Sequence, residues 1–198
     1  MARDPFARMD PSDDARFYSF PRKVVHLEPG AIEALRSEYA RLLAPGSTVL
    51  DLMSSWRSHL PAGLGPVVGL GMSAEEMADN PQLDRFVVHD LNREPTLPFD
   101  DESFDAAVCA VSIQYLVRPF EVLTDLRRVL RAGGPVCISF SNRCFPTKAV
   151  TVWLANDDEG HRELVRHYLE AAGFASVDDH ALPSPDDPLF VVIGRRAR

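Results

Sequence analysis

At 198 residues, 45% of them hydrophobic, the chain is long enough for one domain with a substantial core. A net charge of −8 lacks the basic balance that duplex nucleic-acid binding calls for, and no apolar run approaches the length of a membrane span. Residues 1–11 are charged throughout, without the apolar middle of a signal peptide, so a cytoplasmic location is expected. Cys109, Cys137 and Cys144 form an odd set without metal-type spacing, which argues against a disulfide framework and against a metal site.

Residues 1–16 are rich in Asp, Arg and Pro and read as a flexible N-terminal arm, leaving 17–198 as a single domain. Ile32, Leu35, Tyr39, Leu42 and Leu43 recur at helical spacing and predict an amphipathic helix over 31–43, ended by Pro45-Gly46. Short apolar runs at 48–53, 66–70, 86–89, 104–111 and 135–140 then read as five strands. Runs apolar on both faces imply a parallel sheet covered by helices, here at 73–78 and 121–130. A helix over 159–172 follows, with Gly173 as its C-terminal stop. Two last strands, 175–181 and 189–194, are joined by a Pro/Asp/Ser loop too short for a helix and should pair antiparallel.

Two stretches carry a resemblance. Leu97-Pro98-Phe99-Asp100-Asp101-Glu102-Ser103-Phe104-Asp105 is similar to the lead into the fourth strand of small-molecule methyltransferases. Arg127-Arg128-Val129-Leu130-Arg131-Ala132-Gly133-Gly134-Pro135 resembles their turn from helix to fifth strand, and Val49-Leu50-Asp51-Leu52 is a weaker match. Together they resemble the class I S-adenosylmethionine-dependent methyltransferase superfamily over about half of the chain. The resemblance implies a Rossmann-like α/β fold: a seven-stranded, mostly parallel sheet with an antiparallel C-terminal hairpin. It also implies S-adenosylmethionine as cofactor and a small-molecule substrate.

Ligands of open α/β sheets bind at the carboxyl ends of the strands, where Asp51, Gly71, Asp90 and Val111 fall. By resemblance, Asp90 accepts a hydrogen bond from the adenine amine and Leu91 meets the adenine ring. Met53, Ser54, Ser55 and Met72 complete the cofactor set. Substrate candidates are Gln114 and Tyr115 after strand four, and Asn142, Arg143 and Cys144 after strand five. Arg143 and Lys148 would favour a Cys144 thiolate. His59 lies beside the first loop and suits proton transfer near neutral pH. Tyr18 and Arg22 are lid candidates by analogy with N-terminal segments of the family.

Two departures stand out. The family's first loop reads Asp-x-Gly-x-Gly-x-Gly, whereas here Met53, Ser55 and Arg57 replace the three glycines. Ser54, Ser55 and Arg57 are candidates to hold a ligand carboxylate, and Pro61 allows only a short helix after the loop. The family's ribose-binding acid after strand two is Gly71. The alternative to a methyltransferase is therefore a non-catalytic member of the fold that binds a ligand or protein partner. A nicotinamide oxidoreductase needs the same missing glycines and acid.

Overall fold

The computed structural model describes residues 4–184 and 188–198. A parallel core forms from β1 (Val49–Leu52), β2 (Val67–Gly71), β3 (Arg85–Val88), β4 (Ala106–Ala110) and β5 (Pro135–Ser141). With β6 (Ser176–Leu182) and β7 (Leu189–Arg195) they make one seven-stranded sheet ordered β3-β2-β1-β4-β5-β7-β6. The C-terminal strand β7 is antiparallel to β5 (Ile138 opposite Val192) and lies between β5 and β6. This is the expected seven-stranded arrangement. Residues 185–187 of the loop between β6 and β7 lie outside the described residues.

The apolar runs explain the layers. Strands β1, β2 and β5 are buried along their whole length and β4 along nearly all of it, so both faces must be covered. One face receives Leu123, Leu126 and Val129 of α4 (Pro119–Val129) and Val165 and Leu169 of α6 (Asp158–Ala171). The other receives Ala31, Leu35 and Tyr39 of α2 (Pro29–Leu42). Proline at the first turn begins both α2 and α4, because its missing N–H has no partner there to lose. Asp157 caps α6 by accepting from the Gly160 amide at 3.0 Å, and Gly173 at φ 84° ends it.

Three elements differ from expectation. Residues 53–66 contain no helix; Pro61, Gly63, Gly65 and Pro66 punctuate the segment, and Gly65 packs on the Gly46 carbonyl too closely for a side chain. Short helices α1 (Asp14–Phe17), α3 (Ala74–Ala78) and α5 (Thr151–Leu154) are present; α3 was legible, whereas α1 and α5 are too short for periodicity to reveal.

The third difference is the segment expected to be a flexible arm. From Asp4 onward it is docked. Phe6 packs edge-on against Phe120 at 6.0 Å, and Thr151 and Val152 donate amides to Ala7 and Pro5 carbonyls, each at 2.8 Å. Buried charges fasten it. Asp14 accepts from Arg8 Nη1 on both oxygens at 2.8 Å and from Asn92 Nδ2 at 2.9 Å, and pairs with Lys148 Nζ at 3.2 Å. Lys148 also reaches Asp10 at 3.0 Å and the Ser12 carbonyl at 3.0 Å. Burial raises the Asp14 pKa, but the donors outweigh it and hold the carboxyl below its usual range. Removing one partner of such a cluster strands the other charges. Asp14→Ala should lower unfolding free energy by about 3 kcal/mol or more, measured by urea titration. The exposed Arg118–Glu121 pair is the control, and Glu121→Ala should leave stability unchanged within error.

Candidate functional site

The carboxyl ends of β1, β2 and β4 open into a cleft of about 130 Å³. Asp51, in β1, is 3% exposed and accepts hydroxyl hydrogen bonds from Ser54 at 2.6 Å and Ser58 at 2.7 Å, both on Oδ2. Asn80 donates to Ser58 Oγ at 2.8 Å and to the Ser55 carbonyl at 2.9 Å, tying the loop to the turn after α3. No ion pair among the described residues reaches Asp51, and burial raises its pKa to about 6 against the pull of the two serines.

The loop after β1 therefore folds back over β2. Ser54 donates its amide to the Leu70 carbonyl at 2.8 Å. A Cβ on Gly71 would overlap the Ser54 carbonyl oxygen and stand 3.2 Å from Met77 Sδ. Glycine at the end of β2 is thus a packing requirement, and an acid there has no room. Met53 stands at the first glycine position of the family pattern with φ 58°, keeping the left-handed backbone that glycine adopts freely. Val111, just past β4, has φ 44°, a costly conformation for a β-branched residue.

Around this floor lie Met72, Asp90 and Leu91. Asp90 commits Oδ1 to the amides of Asn92 at 2.9 Å and Arg93 at 3.3 Å. Residues 17–26 form a strap across the opening. The Arg22 amide donates to Glu76 Oε1 at 2.6 Å, Trp56 Nε1 donates to the Val24 carbonyl at 3.2 Å, and Lys23 pairs with Asp79. Beneath it an aromatic wall forms from Phe17, Tyr18, Tyr115 and Phe145, with Phe17–Phe145 at 5.3 Å and His26–Phe145 at 4.9 Å. Burial raises the Tyr18 hydroxyl and raises Tyr115 to about 12, so both stay protonated. Burial, then Arg36 and Arg57, lowers His59 to about 4; burial and Arg143 lower His26. Both imidazoles are neutral near pH 7.

Of the residues singled out by sequence, Tyr18, Arg22, Asp51, Met53, Ser54 and Ser55 line this cleft together. His59, Gly71, Met72, Asp90, Leu91, Val111 and Tyr115 do so too. Four do not. Gln114 is buried behind the wall, donating to the Val111 carbonyl at 3.0 Å. Asn142 borders a separate shallow groove with His161. Arg143 pairs with Glu28 at 3.1 Å. Cys144 packs against the core, and burial raises its thiol pKa. Lys148, expected to favour a thiolate there, is turned to Asp10 and Asp14 instead. Ser54 and Ser55, expected to donate to a ligand carboxylate, donate instead to Asp51 and Glu76, the latter at 2.6 Å. Arg57 is exposed and stacks on Trp56 at 4.5 Å.

Sequence reasoning missed Glu76, His26 and the buried Arg8–Asp14 pair. Ser73-Ala74-Glu75-Glu76 has the spacing of a helix-capping box, and Ser73 Oγ does accept the Glu76 amide at 3.3 Å. The Glu76 side chain, however, reaches Arg22 and Ser55. His26 carries no local signal at all.

A sheet of this order with a cleft at the ends of β1, β2 and β4 defines a class I methyltransferase-type fold. A family model described as a methyltransferase domain matches residues 57–138, beginning at the last position of the altered loop, Arg57. The ubiquinone/menaquinone biosynthesis C-methyltransferase UbiE of Bartonella tribocorum is 32% identical over 107 residues, 41% of this chain and 41% of that protein. The chain thus spans about two fifths of that relative's length. Among solved structures, the putative methyltransferase in the complex with the Haloferax volcanii Trm112 activator has a TM-score of 0.67 at 18% identity, covering 85% of this chain and 90% of that one. The [4+2]-cyclase SpnF has a TM-score of 0.61 at 16% identity, covering 82% and 80%. The methyltransferase-domain model and the UbiE relative each match about two fifths of this chain, and the two solved structures share its fold. Among the described residues no helix is long and apolar enough to cross a membrane, and no group of three His, Cys, Asp or Glu is placed to hold a metal.

The raised Asp51 pKa has a testable sign. The folded carboxyl keeps its proton to about pH 6, whereas the unfolded chain releases it near pH 3.9. Between those values the native state binds more protons, so this group's contribution to stability falls as pH rises through about 4 to 6, by about 3 kcal/mol in all. Asp51→Asn keeps an acceptor for the serines and cannot ionise. In urea titrations the variant should gain on the wild type between about pH 4 and about pH 7.5; an equal difference at both ends would contradict the assignment.

Proposed function

We propose that the chain transfers the methyl group of S-adenosylmethionine to a small-molecule acceptor in the cytoplasm. The observation that carries this reading is the single cleft that joins Asp51, Gly71, Asp90, Leu91 and Val111 at the strand ends. Its acceptor set suits the cofactor: Asp51, Glu76 and Asp90 take part in no ion pair among the described residues, and a carboxylate-lined cleft favours a cationic ligand bearing hydroxyls. Once bound, the sulfonium of S-adenosylmethionine supplies a methyl group already activated for displacement.

The chain's own residues orient the reactants and exclude water. Asp90, whose Oδ1 takes the Asn92 and Arg93 amides, would hold the adenine amine, with Leu91 and Val111 lining the same part of the cleft. The strap seals the cleft through Arg22, Lys23 and Val24. The wall of Phe17, Tyr18, Tyr115 and Phe145 suits a flat aromatic acceptor, in keeping with the quinone-pathway name of the relative. The neutral imidazole of His26 is available to receive a proton from that acceptor.

The altered first loop supports a second reading, ligand binding without methyl transfer, and a structural neighbour named as a cyclase has the same fold. Calorimetry of the purified chain with S-adenosylmethionine and S-adenosylhomocysteine separates the two. Micromolar binding, weakened by about 1 to 3 kcal/mol in Asp90→Ala, is expected. Unchanged affinity in that variant removes Asp90 from the adenine, and no binding of either compound favours the second reading.

A further inference from the structure

Glu76 is a buried carboxylate with no role assigned by the family pattern. It lies on the first turn of α3, is 3% exposed, and lines the cleft beside Gly71 and the strap. Its Oε1 accepts the Arg22 amide and its Oε2 the Ser55 hydroxyl, each at 2.6 Å. It joins no ion pair among the described residues. An ionised carboxylate buried without a counter-charge is costly unless its lone pairs are filled. Two neutral donors fill half of its roughly four acceptor positions.

We propose that the remaining positions, one on each oxygen, receive the two adjacent hydroxyls of a ribose. Glu76 then supplies from α3 the diol contact that Gly71 cannot supply from the end of β2. The backbone explains the relocation, since the Ser54 carbonyl fills the space a side chain on residue 71 would need. Ser55 and Arg22 hold the carboxylate from the loop and the strap, so the displaced loop itself positions the replacement acid. A metal ion fits less well, because the described residues contain no group of three or more His, Cys, Asp or Glu placed to hold one. Two oxygens already holding one donor each are suited to two more hydroxyl donors. The proposal rests on the cofactor reading above.

The test titrates the full chain with adenosine, 2′-deoxyadenosine and S-adenosylhomocysteine. Wild type should bind adenosine at least about tenfold more tightly than 2′-deoxyadenosine. Glu76→Gln should weaken S-adenosylhomocysteine by at least about tenfold and abolish the preference for adenosine. Equal wild-type affinity for the two nucleosides overturns the role of Glu76, and so does a preference that survives in Glu76→Gln. Should that variant fail to fold, the wild-type comparison decides by itself. Binding of S-adenosylhomocysteine without discrimination between the nucleosides removes Glu76 and leaves the cofactor reading standing. Binding of none of the three overturns both.

Discussion

The backbone of Ser54 lies on the end of β2, and the cleft takes its form from that contact. The Ser54 amide donates to Leu70, its hydroxyl donates to Asp51, and its carbonyl covers Gly71. A buried carboxylate holding two hydroxyls is expensive to disturb, because unpairing it leaves an unsatisfied charge in a low-dielectric setting. The same contact leaves no room for a side chain at residue 71. A left-handed Met53 follows from it too, since the chain must still turn where the family places glycine.

A second constraint comes from the N-terminal side. The strap is pinned at Glu76, Trp56 and Asp79, and the preceding segment is pinned through Asp14 and Lys148. Asn92 joins these regions to the sheet, since its side chain donates to Asp14 and to the Tyr115 carbonyl and accepts the Val117 amide. Movement of the strap therefore strains contacts on both flanks of the cleft. The strap is tied by the Arg22 amide to Glu76, by Trp56 to Val24 and by the exposed Lys23–Asp79 pair, whereas the Asp14 cluster is buried.

Much of this architecture was legible in the residues. Uniformly apolar runs such as Val67–Gly71 and Pro135–Ser141 can be buried only in a parallel or covered sheet, and the last two strands lacked room for a helix. The strand-end rule gathered Asp51, Asp90 and Val111 correctly into one place. What escaped was long-range pairing of charge. Arg8 and Asp14 look like a solvated arm until Lys148 and Asn92 arrive from elsewhere in the chain. Glu76 was hidden by a local pattern that equally well describes a helix cap. Cys144 looked activated because sequence proximity to Lys148 does not reveal which way that side chain turns.

Residue 71 offers the most direct test of the loop's position. Gly71→Ala places a methyl group against the Ser54 carbonyl and Met77. Urea unfolding of this variant should show a loss of about 1 to 3 kcal/mol, with a larger loss for Gly71→Asp and no gain in S-adenosylhomocysteine affinity. Wild-type stability in Gly71→Asp together with tighter cofactor binding would contradict the account, because it would mean that the space above β2 is open and that the loop lies elsewhere.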